Sequence, residues 1–171
     1  MSKEIRKITE CAVCIALAVV LSFITVWKMP QGGSVSLVMV PLFLIAYRRG
    51  AVCGIISGVI YGLLALMIDG TIYHPLSILL DYVLAFGIIG IAGFFRKDMK
   101  GIIWGTVAGV AGRFISSFLS GWLLFGEYAP EGQSAFAYSL IYQATYLIPE
   151  LVICVVVLVL LYKKAGKLFN A

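Results

Sequence analysis

Charge is scarce in this sequence. Only 12% of its 171 residues are Asp, Glu, Lys or Arg, about half of the roughly 25% found in soluble domains. Histidine occurs once, as His74, and one histidine makes no metal centre; it precedes Pro75 and reads as a turn residue. The four cysteines, Cys11, Cys14, Cys53 and Cys154, all lie in apolar segments. Cys11 and Cys14 form a CxxC, but a second ligand pair and a thioredoxin-like context are both missing, so the cysteines read as small packing residues. Ser-His-Asp sets and carboxylate pairs at useful spacing are absent too. Nothing argues for an enzyme. The phosphate-cradling pattern G-x-x-x-x-G-K-[ST] is missing, so the chain does not itself hydrolyse nucleotide by that route. Behind the basic start MSKEIRK there is no small-residue cleavage site, and the apolar run that follows reads as a first spanning helix rather than a signal peptide.

What is present is apolar. Hydrophobic residues make up 62% of the chain, and the mean hydropathy is +1.06. This predicts an all-α integral membrane protein, with residues 1–171 forming one domain. Six segments approach the roughly 20 apolar residues that span a bilayer: about Ile8 to Trp27, Ser34 to Tyr47, Ala51 to Met67, Ser77 to Phe95, Gly101 to Phe125 and Ser134 to Tyr162. The second is short and reads as tilted, broken or interfacial. The net charge of +5 does not point to nucleic acid, because the basic residues sit at the ends of apolar runs. With six spans, Lys3, Arg6, Lys7, Arg48, Arg49, Arg96, Lys97, Lys100, Lys163, Lys164 and Lys167 all fall on one side. The other side holds Lys28 with Asp69, Glu127 and Glu131. Both termini are therefore expected in the cytoplasm.

Small residues recur at helical spacing. Gly54, Gly58 and Gly62 form one stripe, and Gly101, Gly105 and Gly109 another. Such stripes let helix backbones approach in a membrane, and internal packing is the plain reading. Ala12 and Ala16, continued by Val20, form a third stripe that is either internal or docks a partner helix.

An ionisable side chain within a membrane segment is a functional hypothesis by default. Glu10, Asp81, Arg113 and Glu150 qualify. Glu10 is near enough to the segment end to reach the cytoplasmic interface. Asp81, beside Tyr82, reads as a partner for a cationic ligand, with Arg113 as its alternative partner. Arg113 is expected to pair with Glu150 or to cap exposed carbonyls, and Pro149 is expected to kink the last helix. Between Arg113 and Glu150 crowd Trp122, Phe125, Tyr128, Tyr138, Tyr142 and Tyr146, with the amide of Gln143 among them. Tyr138, Tyr142 and Tyr146 share one helical face. They form either an aromatic wall for a cation or a packed helix seam. Trp27, Tyr73 and Tyr128 fit an interfacial aromatic belt.

At these residues the sequence resembles the ThiT (YuaJ) family, the thiamine-specific substrate-binding S-components of energy-coupling factor (ECF) transporters. The resemblance rests on GGSVSLVMVPL, HPLSILLDYVLAF, RFISSFLSG and YAPEG…YSLIYQATYLIPE, and it covers nearly the whole chain. It implies a multi-pass protein of the bacterial plasma membrane with six helices and both termini inside. Thiamine would bind near the outer face, beneath the loop between the first two helices, around Gln31 to Ser34. Asp81 takes the family's acidic position, with Tyr82 beside it, and Tyr138 matches a family tyrosine. The family's partners are a transmembrane coupling protein and two ATPase subunits that use ATP, and the Ala12/Ala16 stripe would dock the coupling protein. No cofactor is expected in this chain. Ser117 stands where the family usually has histidine, Gln143 where it has asparagine, Phe125 where it has a stacking tryptophan, and Asp81 where it has glutamate. The expected ligand groups are therefore charge from Asp81, aromatic walls from Tyr82, Trp122, Phe125, Tyr138 and Tyr142, and hydrogen bonds from Ser117 and Gln143. The substitutions leave open a site retuned for a thiamine precursor or related ring compound. Two other readings stand beside it: a solitary proton-coupled transporter using Asp81, Glu10 or Glu150, and an assembly subunit with no ligand.

Overall fold

The computed structural model describes residues 2–29, 33–70 and 74–169. Within these, six helices follow one another: α1 (Lys3–Ser22), α2 (Met39–Arg49), α3 (Ala51–Asp69), α4 (Pro75–Phe94), α5 (Met99–Leu124) and α6 (Ala135–Ala165). Between α1 and α2 an antiparallel ribbon pairs β1 (Thr25–Lys28) with β2 (Ser34–Ser36). Short 3-10 turns at Gly126–Tyr128 and Gly166–Phe169 follow α5 and α6. Gln31, Gly32 and Tyr73, which the sequence singled out, lie outside the described residues.

Local chemistry sets the helix ends. Ser2, Asp98 and Ser134 each accept a hydrogen bond from a first-turn N–H, the shortest being Gly101 N–H to Asp98 Oδ1 at 2.7 Å. This satisfies a donor that the helix itself cannot. His74 plays the turn role expected of it: its Nδ1 accepts from the Leu76 N–H at 3.1 Å, ahead of Pro75 at the first helical position. Gly50, at φ +91°, makes the sharp turn from α2 into α3, a conformation that costs glycine nothing.

Four helices, α3 to α6, are long and apolar enough to cross a bilayer, and their bounds follow the expected segments closely. The first two segments differ. The helix expected to reach Trp27 stops at Ser22, and Thr25–Lys28 is a strand. The stretch Ser34–Tyr47 divides into β2 and the 11-residue helix α2. At 1.5 Å per residue α2 is about 16 Å long, too short to span. Met39, Leu42, Phe43, Ile45, Ala46 and Tyr47 are almost fully buried, so α2 is the core helix around which the others stand. Its apolar character serves protein contacts rather than lipid. Tyr47 donates to the Ile102 carbonyl of α5 at 2.7 Å.

The glycine stripe of α3 packs on α4. A Cβ on Gly58 would collide with the Phe86 carbonyl, and one on Gly62 with that of Tyr82. In α5, Gly105 and Gly109 face the Tyr47 hydroxyl and the Phe43 ring, each 2.7 Å from where a Cβ would stand. Gly101 differs from its stripe: it meets the Arg96 carbonyl of its own connection. Opposite its glycines, α3 exposes Val52, Ile56, Ile60, Leu63 and Met67 at helical spacing, the apolar face that lipid requires.

The basic helix ends gather at one end of the bundle. Glu10 accepts from Arg6 Nε at 3.2 Å, Arg48 Nε at 2.7 Å and Arg49 Nε at 2.6 Å. Arg48 Nη1 also donates to the Lys167 and Leu168 carbonyls, and Lys97 Nζ to the Arg48 carbonyl. The start of α1, the end of α2, the α4–α5 connection and the C-terminal turn thus share one polar layer.

Candidate functional site

A cavity of about 620 Å³ opens between the ribbon and helices α3 to α6, within the usual size range of small-molecule sites. Residues from α4, α5 and α6 form its working wall, and Thr25, Lys28, Met29, Gly33 and Ser34 of the ribbon region cover it.

The α4 wall is irregular. Pro75–Ser77 is α-helical, Ile78–Leu84 is wound as a π-helix, and Ile88–Phe94 tightens to 3-10. Wide π turns occur mostly as local features at functional sites. Here one carries Asp81 and Tyr82, both of which line the cavity. Its backbone is braced from α5, where the Ser116 hydroxyl donates to the Leu80 carbonyl at 2.6 Å. The winding also brings the Tyr82 carbonyl against Gly62, so the α3 stripe and the site wall are one piece of packing.

Asp81 is the cavity's carboxylate. The Ser120 hydroxyl donates to its Oδ2 at 2.5 Å, and no cationic side chain among the described residues lies within ion-pair distance of it. Of the cations lining the cavity, Arg113 is engaged by another carboxylate: its Nη1 donates to Glu150 Oε2 at 3.4 Å, as the sequence suggested. Arg113 also lies over the Phe86 ring, 4.4 Å from its centroid. Glu150 is fully buried and accepts the Ser36 hydroxyl at 3.2 Å on its other oxygen.

The aromatic wall belongs to α6. Tyr138, Tyr142 and Tyr146 follow one another along the cavity, with ring centroids 5.9 Å and 6.1 Å apart. Gln143 lines it too. Its Nε2 donates to the Ser117 carbonyl at 3.1 Å, and its Oε1 accepts the Tyr146 hydroxyl. One amide N–H is therefore left for a guest.

Seven of the eight residues expected to form a ligand site, Asp81, Tyr82, Ser117, Phe125, Tyr138, Tyr142 and Gln143, line this one cavity. Trp122 is placed elsewhere: its ring stacks on Phe118 at 6.0 Å and meets Phe136 edge-on at 5.5 Å, on a half-exposed face. A four-residue step along α5 separates Phe118 from Trp122, whereas Phe125 is beyond the helix end and turns inward. Ala12 and Ala16 are exposed on α1, beside the face that buries Ile15 and Ala18.

Sequence reasoning missed Ser120, Tyr61 and Phe86. Ser116 and Ser120, spaced by four residues, were a legible polar stripe on α5. Tyr61 is the one tyrosine of the glycine-striped helix, and its ring meets Phe86 edge-on at 4.8 Å. Among the described residues no cluster of His, Cys, Asp and Glu could hold a metal.

Known proteins share this architecture. The chain is 36% identical to the "Thiamine transporter ThiT" of Bacillus subtilis (strain 168), over 99% of this chain and 97% of that one. It is 28% identical to the "Thiamine transporter ThiT" of Lacticaseibacillus paracasei, over 99% and 92%. A solved structure of ThiT from Listeria monocytogenes superposes with a TM-score of 0.91 at 28% identity, covering 99% of this chain and all of that one. The sequence profile described as "Thiamine transporter protein (Thia_YuaJ)" matches residues 8–170. The chain is a multi-pass membrane protein and belongs to the Thia_YuaJ thiamine transporter family.

Proposed function

We propose that this chain captures thiamine at the outer face of a bacterial plasma membrane, as the substrate-binding S-component of an ECF transporter. Thiamine joins two aromatic rings, one a permanent cation. The observation that carries the reading is Asp81, a carboxylate with no ion-pair partner among the described residues, in a cavity walled by Tyr82, Tyr138, Tyr142 and Tyr146. A part-buried carboxylate without a counter-charge is costly, and a cationic guest offsets that cost. Aromatic faces add cation–π attraction of about 0.5–2 kcal/mol each. The names of the relatives point to the same ligand.

In this reading both termini are cytoplasmic, because the basic layer around Glu10 marks the inner end. ATP is used by two ATPase subunits, linked through a membrane coupling protein that docks on the Ala12/Ala16 face of α1. Titration of the purified protein with thiamine tests the ligand. Co-purification of the coupling protein and ATPases, lost when Ala12 and Ala16 become bulky, tests the partnership.

A precursor as ligand remains the second reading. It draws on Ser117, a hydroxyl in place of an imidazole, and on Gln143, whose amide is largely spent on Ser117 and Tyr146. Saturation by the pyrimidine half of thiamine alone, with no gain from the whole molecule, would favour it. The solitary proton-coupled reading has less support. Glu10, one of its candidate carriers, is held by three arginines, which disfavours proton uptake there.

A further inference from the structure

We infer that Arg113 is a second pole of the cavity, a hydrogen-bond donor that receives an acceptor atom of the ligand, and that Glu150 is its positioning residue. The inference rests on the thiamine reading and adds which ligand atoms the site requires.

Three observations carry it. The first is position. Arg113 precedes Ser120 by seven residues on α5, and Ser120 touches Asp81. Two helical turns, about 10 Å of axial rise, thus lie between Arg113 and the serine that holds Asp81, and Arg113 and Asp81 both line the one cavity.

The second is unspent hydrogen-bonding capacity. A guanidinium carries five N–H donors. Arg113 commits one of them, Nη1, to Glu150, at a long 3.4 Å, whereas charge-assisted bonds usually close to about 2.7–2.9 Å. Its Nε is buried without any partner. Such a group in the middle of a membrane helix is expensive, and a guest with an acceptor would satisfy it.

The third is the construction behind Arg113. Glu150 is not among the residues lining the cavity; it is 1% exposed and uses both oxygens, one on Arg113 and one on the Ser36 hydroxyl of β2. Phe86 covers one guanidinium face. Arg113 is therefore held in place from behind, with its charge balanced by Glu150. Asp81 keeps the remaining negative charge for the cationic part of the ligand. At the Arg113 level the matching group is a neutral acceptor, a hydroxyl oxygen or a ring nitrogen.

The test is calorimetry on the purified wild type and on Arg113→Gln and Arg113→Lys. Lysine keeps a charge against Glu150 and so preserves the fold if glutamine does not. The probes are thiamine and two analogues, one with the hydroxyethyl arm replaced by ethyl, one with pyrimidine N1 replaced by CH. A charge-assisted hydrogen bond in a buried site corresponds to roughly ten- to a hundredfold in affinity. We expect both variants to lose that much for thiamine, and one of the analogues to bind wild type and variants alike. An equal loss for thiamine and both analogues would reduce Arg113 to a structural role, and no loss at all would remove it from the site; either result overturns the inference while leaving the thiamine reading intact. Failure of the wild type to bind thiamine overturns both.

Discussion

The Ser120 hydroxyl donates to Asp81 Oδ2 across 2.5 Å, joining α5 to the π-helical turn of α4 at the cavity wall. That bond fixes the plane of the carboxylate and leaves its other oxygen to a guest. Ser120→Ala should keep the fold and weaken thiamine binding by about two- to tenfold, less than loss of a direct charged contact, because Ser120 acts on the ligand only through Asp81. Binding unchanged by Ser120→Ala would show that the carboxylate is oriented by something else.

The Arg113–Glu150 pair makes a different prediction. Glu150→Gln leaves a guanidinium without its counter-charge in the membrane interior, which should cost about 3–5 kcal/mol of stability. Thermal unfolding in detergent measures it. The double substitution Arg113→Met with Glu150→Leu should recover most of that loss, since an apolar pair of similar volume avoids burying charge. Its thiamine affinity should stay low. A double variant as unstable as the single one would show that the pair contributes through packing rather than charge.

Gly62 links helix packing to the site. Its missing Cβ is the space taken by the Tyr82 carbonyl, so Gly62→Ala must push α4 outward at the residue beside Asp81. Overpacking of this kind costs about 1–3 kcal/mol. Gly62→Ala should therefore lose both stability and thiamine affinity. Gly166→Ala, with open space around it, should leave both unchanged. Equal behaviour of the two variants in unfolding and binding assays would contradict this coupling.

Glu10 separates two accounts of transport. Held by Arg6, Arg48 and Arg49, it is a structural tie between α1 and the end of α2. Glu10→Gln should lower the unfolding temperature and leave thiamine affinity within about twofold of wild type. A proton carrier at this position would instead lose gradient-driven uptake while keeping its fold, which uptake into proteoliposomes would detect.

Trp122 packs with Phe118 and Phe136 rather than lining the cavity. Trp122→Phe should bind thiamine as the wild type does, whereas Phe125→Ala should bind it less well. The reverse order in a titration would put the Trp122 ring against the ligand.

Legibility followed the physics of burial. Helices α3 to α6 could be bounded from sequence because each is a long, continuous apolar run. Hydropathy could not place α2: Phe43 and Leu42 are as apolar as lipid-facing residues but are buried in protein. Nor could it separate β1 from α1, because Thr25–Lys28 continues the same apolar run into a ribbon that only its pairing with Ser34–Ser36 defines. In the site, residue types that carry chemistry stood out, as Asp81 and the tyrosine stripe did. Residues whose role comes from the tertiary fold did not. Ser120 matters because a π-helical turn carries Asp81 to it, and no residue of ILLDYVL announces that turn.

The most direct test of thiamine capture is calorimetric titration of the purified protein with thiamine, alongside Asp81→Asn. The expected result is saturable, submicromolar binding by the wild type and a loss of roughly ten- to a hundredfold in the variant, because an amide cannot supply the charge a cationic ring needs. Heat of binding that is absent from the wild type, or identical in the two proteins, would contradict the account and leave the family relationship as a guide to the fold alone.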